Sequence, residues 1–256
     1  MQATTPAPRT TDPLGQGLES QAGTALLRFG VARRRPADRI SWSGAGAAAW
    51  LDRGQVMSVG DPDAAAGLVL RAAHGLPDRV REFTVPRGSD VLVGRHLPVT
   101  DAVEWVFRWT EQEPPPHDAE DRVRALDAGH HDELRAFLAE HSPAHSTGPG
   151  SCDVRLWAGI RDDAGQLVAC GALSRLRDSG APLMVSVATD AARRGEGLGA
   201  ALTSWLTRHA VRGHGVCTLW QLGGNAPAER LYDRLGYRTG DPCVTARIAP
   251  AQPLAA

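Results

Sequence analysis

Three glycines at alternate positions, Gly195, Gly197 and Gly199, follow a pair of arginines, Arg193 and Arg194. They stand between an apolar run, Leu183 to Thr189, and a helical pattern over Gly197 to Val211 with Leu198, Leu202, Trp205 and Leu206 on one stripe. The arrangement suits an anion. Unpaired N–H groups at a helix start point outward, and the helix dipole adds roughly half a positive charge there. Glycine lets the backbone turn tightly and come close to a phosphate, and guanidinium groups grip its oxygens with two donors. A second group is Asn225, Ala228 and Tyr232, whose offsets of 0, 3 and 7 place them on one helix face. Asn225 suits the N-cap, Pro227 the first turn and Gly236 the left-handed residue after the helix. Taken alone, the first group also reads as a plain Gly-rich turn, and the second as a capped helix with a core tyrosine.

Composition removes several alternatives. All 28 Lys+Arg residues are arginine. A lysine-dependent phosphate loop and a Schiff-base lysine are therefore excluded. A dinucleotide fingerprint needs an acidic residue on the following strand, and Val216 to Leu222 has none. A formal net charge of -1 argues against a sequence-independent nucleic-acid binder. No apolar run reaches the roughly 18 residues of a membrane helix, and the first ten residues hold no apolar core of a secretory leader. Cys152, Cys170, Cys217 and Cys243 are widely spaced, which predicts reduced thiols in a cytoplasmic protein with no metal site. Arginine in place of lysine, beside many Ala, Gly and Pro, reads as the codon usage of a GC-rich bacterium.

The elements that must hold these groups divide at Glu111 to Asp121, where Pro114, Pro115 and Pro116 interrupt helix and strand alike. Expected are a disordered tail over 1–20, an α/β domain of underived role over 21–112, a solvated acidic linker over 113–121 and a second domain over 122–250. In the first domain, Pro62 onward predicts a short helix, Pro98 to Trp109 fits helix or strand, and Arg33 to Arg35 reads as a basic turn. The second domain reads as β-α-β-β-β-α-β-α-β, with turn signals at Asp162–Gly165 and Asp178–Pro182. An antiparallel meander followed by parallel crossovers predicts an α+β fold, a mixed sheet with helices on its faces.

Together the two groups resemble the GNAT superfamily of acyl-CoA N-acyltransferases. The family's pyrophosphate loop, [RQ]-x-x-G-x-[GA], corresponds to Arg194-Gly-Glu-Gly197-Leu-Gly199. Its following helix, N-x-x-A-x-x-L-Y-x-x-x-G-[FY], corresponds to Asn225, Ala228, Leu231-Tyr232 and Gly236-Tyr237. The resemblance covers about residues 122–250. Trp157 to Asp162 and Leu167 to Ala172 further resemble two-part acetyltransferases of actinobacteria. One reading takes the first half as a worn duplicate of the second.

The resemblance implies acetyl-CoA as co-substrate, no metal, and a small-molecule or peptide amine as acceptor. It implies that the backbone of Val187, Ala188 and Thr189 pairs with the pantetheine arm and binds the thioester carbonyl. The amides of Arg194, Gly195, Glu196, Gly197, Leu198, Gly199 and Ala200 would hold the pyrophosphate, and Asn225 would touch the cofactor. Tyr232 would protonate the departing thiolate; from a phenol near pKa ~10 to a thiolate near ~8.5 this is uphill by about 2 kcal/mol. Some relatives carry a basic glutamate at the position of Leu183, which takes no proton. Asp153, His141, His145, a water relay or the first domain are the replacements, and a non-catalytic acyl-CoA-binding module is the alternative function.

Overall fold

The computed structural model describes residues 25–30, 40–44, 46–177 and 179–249. The tail expected over 1–20 and the basic turn at Arg33 to Arg35 lie outside the described residues. Two compact units share the chain. Unit 1 takes Arg35–Glu104 and the stretch from Cys243 onward; unit 2 takes Ala25–Arg34, which holds α1 (Ala25–Gly30), and Trp105–Pro242. The division falls between Glu104 and Trp105, inside a strand, and not in the Pro-rich segment where composition places it.

In unit 1, β1 (Ser41–Gly44), β2 (Ala47–Asp52) and β3 (Gln55–Gly60) form an antiparallel meander, and α2 (Pro62–Gly75) crosses over to β4 (Glu82–Pro86), parallel to β3. Asp61 starts α2 by accepting the Ala64 N–H at 3.0 Å, with Pro62 in the first turn. The helix buries Ala65, Val69 and Ala72 with Val56, Phe83 and Val85. After α3 (Ser89–Gly94) the chain enters β5 (Val99–Thr110). The last strand, β11 (Arg238–Ile248), runs antiparallel to β4 from Cys243 to Arg247.

In unit 2, β6 (Val123–Leu126) and α4 (His131–His141) precede a second meander of β7 (Leu156–Arg161), β8 (Leu167–Arg175) and β9 (Pro182–Thr189). Helix α5 (Leu198–His214) then crosses over to β10 (Cys217–Leu222), parallel to β9, and α6 (Ala226–Arg234) follows. Residues Trp105 to Thr110 of β5 lie antiparallel to β10. Helix α4 covers one face through Leu134, Phe137 and Leu138 with Trp157 and Ala172. Helices α5 and α6 cover the other, over Ala158, Ile160, Met184 and Leu219. This is the mixed sheet flanked by helices that the element order predicts.

The two units share one run of elements, meander, crossover helix, parallel strand and short helix, to which unit 2 adds β6 and α4. Each sheet then gains an antiparallel strand from the far half of the chain, unit 1 from β11 and unit 2 from β5. The reading of the first half as a worn duplicate predicts such a match.

The acidic segment is not a solvated linker. Pro114 is buried, and the segment lies along α5 inside unit 2. Ser204 Oγ donates to the Pro115 carbonyl at 3.1 Å and Arg208 Nη1 to the Pro114 carbonyl at 3.2 Å. Arg212 pairs with Glu113 at 2.8 Å and Arg208 with Glu120 at 3.5 Å. Proline carbonyls are good acceptors whose own nitrogens need no partner, so a Pro-rich strap fits a helix flank.

Among the described residues no helix is long and apolar enough to cross a membrane, and no cluster of three His, Cys, Asp or Glu could hold a metal. None of the four cysteines forms a disulfide. Burial pushes the thiols of Cys170, Cys217 and Cys243 up to about 12, whereas Cys152 is exposed. A thiolate is the reactive form. A thiol-specific chromogenic reagent is thus expected to titrate one cysteine in the native protein and all four after unfolding.

Candidate functional site

The meander of unit 2 is interrupted where the chemistry is expected. Cys170 faces Ala188 and Ala172 faces Val185, so Ser186 and Val187 together oppose Gly171 alone. Two residues against one make a β-bulge. Ser186 takes a left-handed φ of 53° there, at a cost of roughly 1–2 kcal/mol for a residue with a Cβ. Its hydroxyl offsets part of that by donating to the Thr147 carbonyl at 2.6 Å. A Cβ on Gly171 would lie 3.2 Å from Val187 Cγ2 and 3.1 Å from Leu206 Cδ1, so the strand facing the bulge is tightly packed at this glycine.

On its other edge β9 pairs with β10 only at Leu183–Thr218 and Met184–Leu219. Thr218 Oγ1 donates to the Pro182 carbonyl at 2.6 Å and pins the joined end. Beyond that pair, the edge of Val185 to Thr189 that faces β10 has no strand partner among the described residues, while β10 stays paired with β5 as far as Leu222–Trp105. Val187, Ala188 and Thr189 thus lie on the stretch of β9 beyond its ladder with β10.

The same strand leads into the glycine loop. Asp190 caps a short turn at Ala191–Arg193 by accepting the Ala192 N–H at 2.9 Å. Gly195 and Gly197 both take left-handed φ, 91° and 80°, and Gly197 is the N-cap of α5. Gly199 admits close backbone approach: a Cβ there would sit 3.1 Å from Thr189 Oγ1. No side chain caps α5, so its first N–H groups are left to an anion or to water. The two arginines differ. Arg194 is exposed, whereas Arg193 Nε is bound to Glu196 at 2.6 Å, with Asp162 at 3.8 Å. That bond to Glu196 raises the Arg193 pKa, and the bond from Arg193 lowers that of Glu196.

Composition alone hid one neighbour of this loop. His117, in the Pro-rich strap, has Cε1 and Nε2 at 3.4 and 3.5 Å from where a Gly197 Cβ would be. Its Nδ1 accepts the Ala119 N–H at 3.2 Å, which puts the proton of the neutral ring on Nε2.

Helix α6 is built as expected. Asn225 Oδ1 accepts the Ala228 N–H at 3.2 Å, and Gly236 has φ of 78°. The Tyr237 N–H reaches back to the Tyr232 carbonyl at 3.0 Å. Asn225 is exposed and acts as the cap. Tyr232 packs on the cluster that contains Met184 and Leu219, the last joined pair before the strands part, with the Tyr237 ring 5.5 Å away. Burial pushes its phenol up to about 12; Cys217 adds to the rise and Arg108 opposes it.

The candidate bases sort by their partners. Asp153 is buried and bound by Arg177 at 2.5 Å, with Arg175 at 3.7 Å, which commits its carboxylate to two cations. His141 has its Nδ1 turned to the Ala191 N–H at 3.5 Å beside Asp190. His145 Nδ1 lies 2.8 Å from the Ser142 carbonyl, which only accepts, so Nδ1 is the donor and, in the neutral tautomer, Nε2 is the nitrogen with the lone pair. His145 is two residues from Thr147, the residue tied to the bulge, which bounds the separation of their Cα atoms at about 7 Å.

A parted pair of parallel strands, a bulge beside the gap and a Gly-rich helix start thus lie together in unit 2. Residues 153–239 match the model of the Acetyltransferase (GNAT) domain. That stretch, which lies within unit 2, is similar to the GNAT acetyltransferase family. Solved structures share the fold. A GCN5-related N-acetyltransferase from Sphaerobacter thermophilus aligns with TM-score 0.56 at 17% identity, over 82% of this chain and 79% of that one. A GNAT-family protein from Novosphingobium aromaticivorans aligns with TM-score 0.55 at 19% identity, over 82% and 91%. A GCN5-related N-acetyltransferase from Kribbella flavida aligns with TM-score 0.50 at 21% identity, over 95% and 98%. A sequence comparison with curated proteins finds no match.

Proposed function

We propose that this protein moves the acetyl group of acetyl-CoA onto a primary amine. The observation that carries the reading is the gap beside β9, where a two-pair ladder and a bulge at Ser186 free a strand edge that runs into the glycine loop. The pantetheine arm would pair with Val187, Ala188 and Thr189. The amides from Arg194 to Ala200 would take the pyrophosphate, Arg194 would add charge, and Asn225 would flank the cofactor.

The amine nitrogen attacks the thioester carbonyl, and a backbone N–H of the bulge holds the resulting oxyanion. Collapse breaks the C–S bond. The amine loses a proton to a base, and the Tyr232 hydroxyl donates one to the departing thiolate. With leucine at position 183, His145 is the base we assign, because its Nδ1 is tied to the Ser142 carbonyl and its Nε2 is left over at the loop fixed to the bulge. His145→Gln is expected to lower kcat about 10²-fold, the scale of a lost general base, without weakening acetyl-CoA binding by calorimetry. An unchanged kcat would remove His145 from the mechanism.

A second reading, an acyl-CoA-binding module without turnover, draws on the absent carboxylate at Leu183. Thiol release from acetyl-CoA across a panel of primary amines, with calorimetric titration of acetyl-CoA, separates the two. Binding with turnover supports the enzyme, binding without turnover supports the module, and no binding removes both.

A further inference from the structure

We propose that Arg108 is a positioning residue for Tyr232, so that a strand from the first half of the chain sets how the proton is delivered; this rests on the acetyltransferase reading. Arg108 lies on β5 opposite Leu219 of β10. Its side chain is 1% exposed, yet its charge is turned toward α6: Nη1 donates to Asp233 Oδ1 at 2.6 Å and Nη2 to Glu229 Oε1 at 3.5 Å. Glu229 and Asp233 are one helical turn apart, and Asp233 directly follows Tyr232. The guanidinium therefore grips α6 at two points that bracket the tyrosine.

The helix needs such a grip. It has nine residues and none is fully buried. A helix this short is marginal without tertiary contacts. Asn225 fixes its start, and Arg108 is the ionic tie to the sheet beneath it among the described residues. Packing alone would favour an aliphatic side chain opposite Leu219. The arginine instead leaves its Nε buried without a hydrogen-bond partner, a cost that makes sense if the two terminal nitrogens are needed elsewhere. The buried cation also favours the ionised phenol against the effect of burial, which makes Tyr232 a readier donor.

The test uses the full chain with acetyl-CoA and the best acceptor from the amine panel. Arg108→Met is expected to lower kcat about 10-fold, the scale of a misplaced reacting group, with KM for acetyl-CoA unchanged. Arg108→Lys, which keeps the charge but not the fork, should recover part of the loss, and Asp233→Asn should lose less. The decisive arm is the double variant with Tyr232→Phe. A residue acting through the phenol adds no further loss once the phenol is gone. Multiplied losses, or a wild-type kcat in Arg108→Met, would overturn the proposal. If Arg108→Met does not fold, the Arg108→Lys and Asp233→Asn cycles with Tyr232→Phe decide it in the same way. If the wild type transfers no acetyl group to any amine, the acetyltransferase reading fails and this proposal falls with it; wild-type turnover with an additive double variant removes this proposal alone.

Discussion

Tyr232→Phe is expected to lower kcat about 10²-fold while leaving KM for acetyl-CoA nearly unchanged, because the hydroxyl acts only as the C–S bond breaks. The environment of the phenol sharpens the chemistry. At about 12 its proton stands roughly 3.5 units above a thiol near 8.5, so complete transfer is uphill by about 5 kcal/mol. For an unburied phenol the same transfer is uphill by about 2 kcal/mol. A free-standing transfer is thus disfavoured, and the proton moves together with C–S cleavage or stays as a strong hydrogen bond to the leaving sulfur. The raised value also keeps the hydroxyl protonated below about pH 12, so any alkaline fall in rate below that belongs to another group. Phenylalanine keeps the ring packed near Tyr237 and Leu219, so circular dichroism and thermal melting should change little. A kcat close to wild type would reduce Tyr232 to a core residue.

Gly197→Val is expected to weaken acetyl-CoA binding about 10²-fold. The residue holds φ at 80° as the N-cap of α5, a region in which a β-branched side chain is a steric outlier. The new side chain would also press on the His117 ring, already 3.4 Å from the position of a Cβ. Two effects therefore add at one place: the loop is pushed from the conformation that presents its N–H groups, and the approach to them narrows. Gly195→Val is the control. Its φ of 91° imposes comparable strain, but a Cβ there meets open space, so the loss should be smaller. Calorimetric titration of acetyl-CoA reads both. Equal losses would assign the effect to backbone strain and not to blocked approach.

Much of this site is legible in the sequence because its signals are local. The cap at Asn225, the glycine after α6 and the glycines before α5 each impose a conformation on their own neighbours, and the meander is marked by its turns. Three features are not local. Ser186 in a left-handed conformation has no sequence mark, since serine is not the residue that favours it; only the two-against-one register reveals the bulge. The segment from Glu113 to Glu120 carries the composition of a solvated linker. What fixes it to α5 is the set of carbonyls and carboxylates that meet Ser204, Arg208 and Arg212, partners far away in the chain. Arg108 sits in a stretch, Trp105 to Trp109, that alternates like a strand but also has helical spacing. Its role depends on which strand it lies beside, and that choice is made by tertiary packing.

The exchange of final strands has a consequence for biosynthesis. The meander, helix and β4 of unit 1 emerge from the ribosome before unit 2, but the strand that covers the open edge of β4 is Cys243 to Ile248, made only after unit 2. Until then that edge presents unpaired backbone groups, the kind of surface on which nascent chains associate wrongly. Unit 2, by contrast, has β5 in hand before its own sheet begins. Removal of Cys243 to Ile248 should therefore damage unit 1, which is made before that strand, and unit 2, with the glycine loop, should be the one able to fold first.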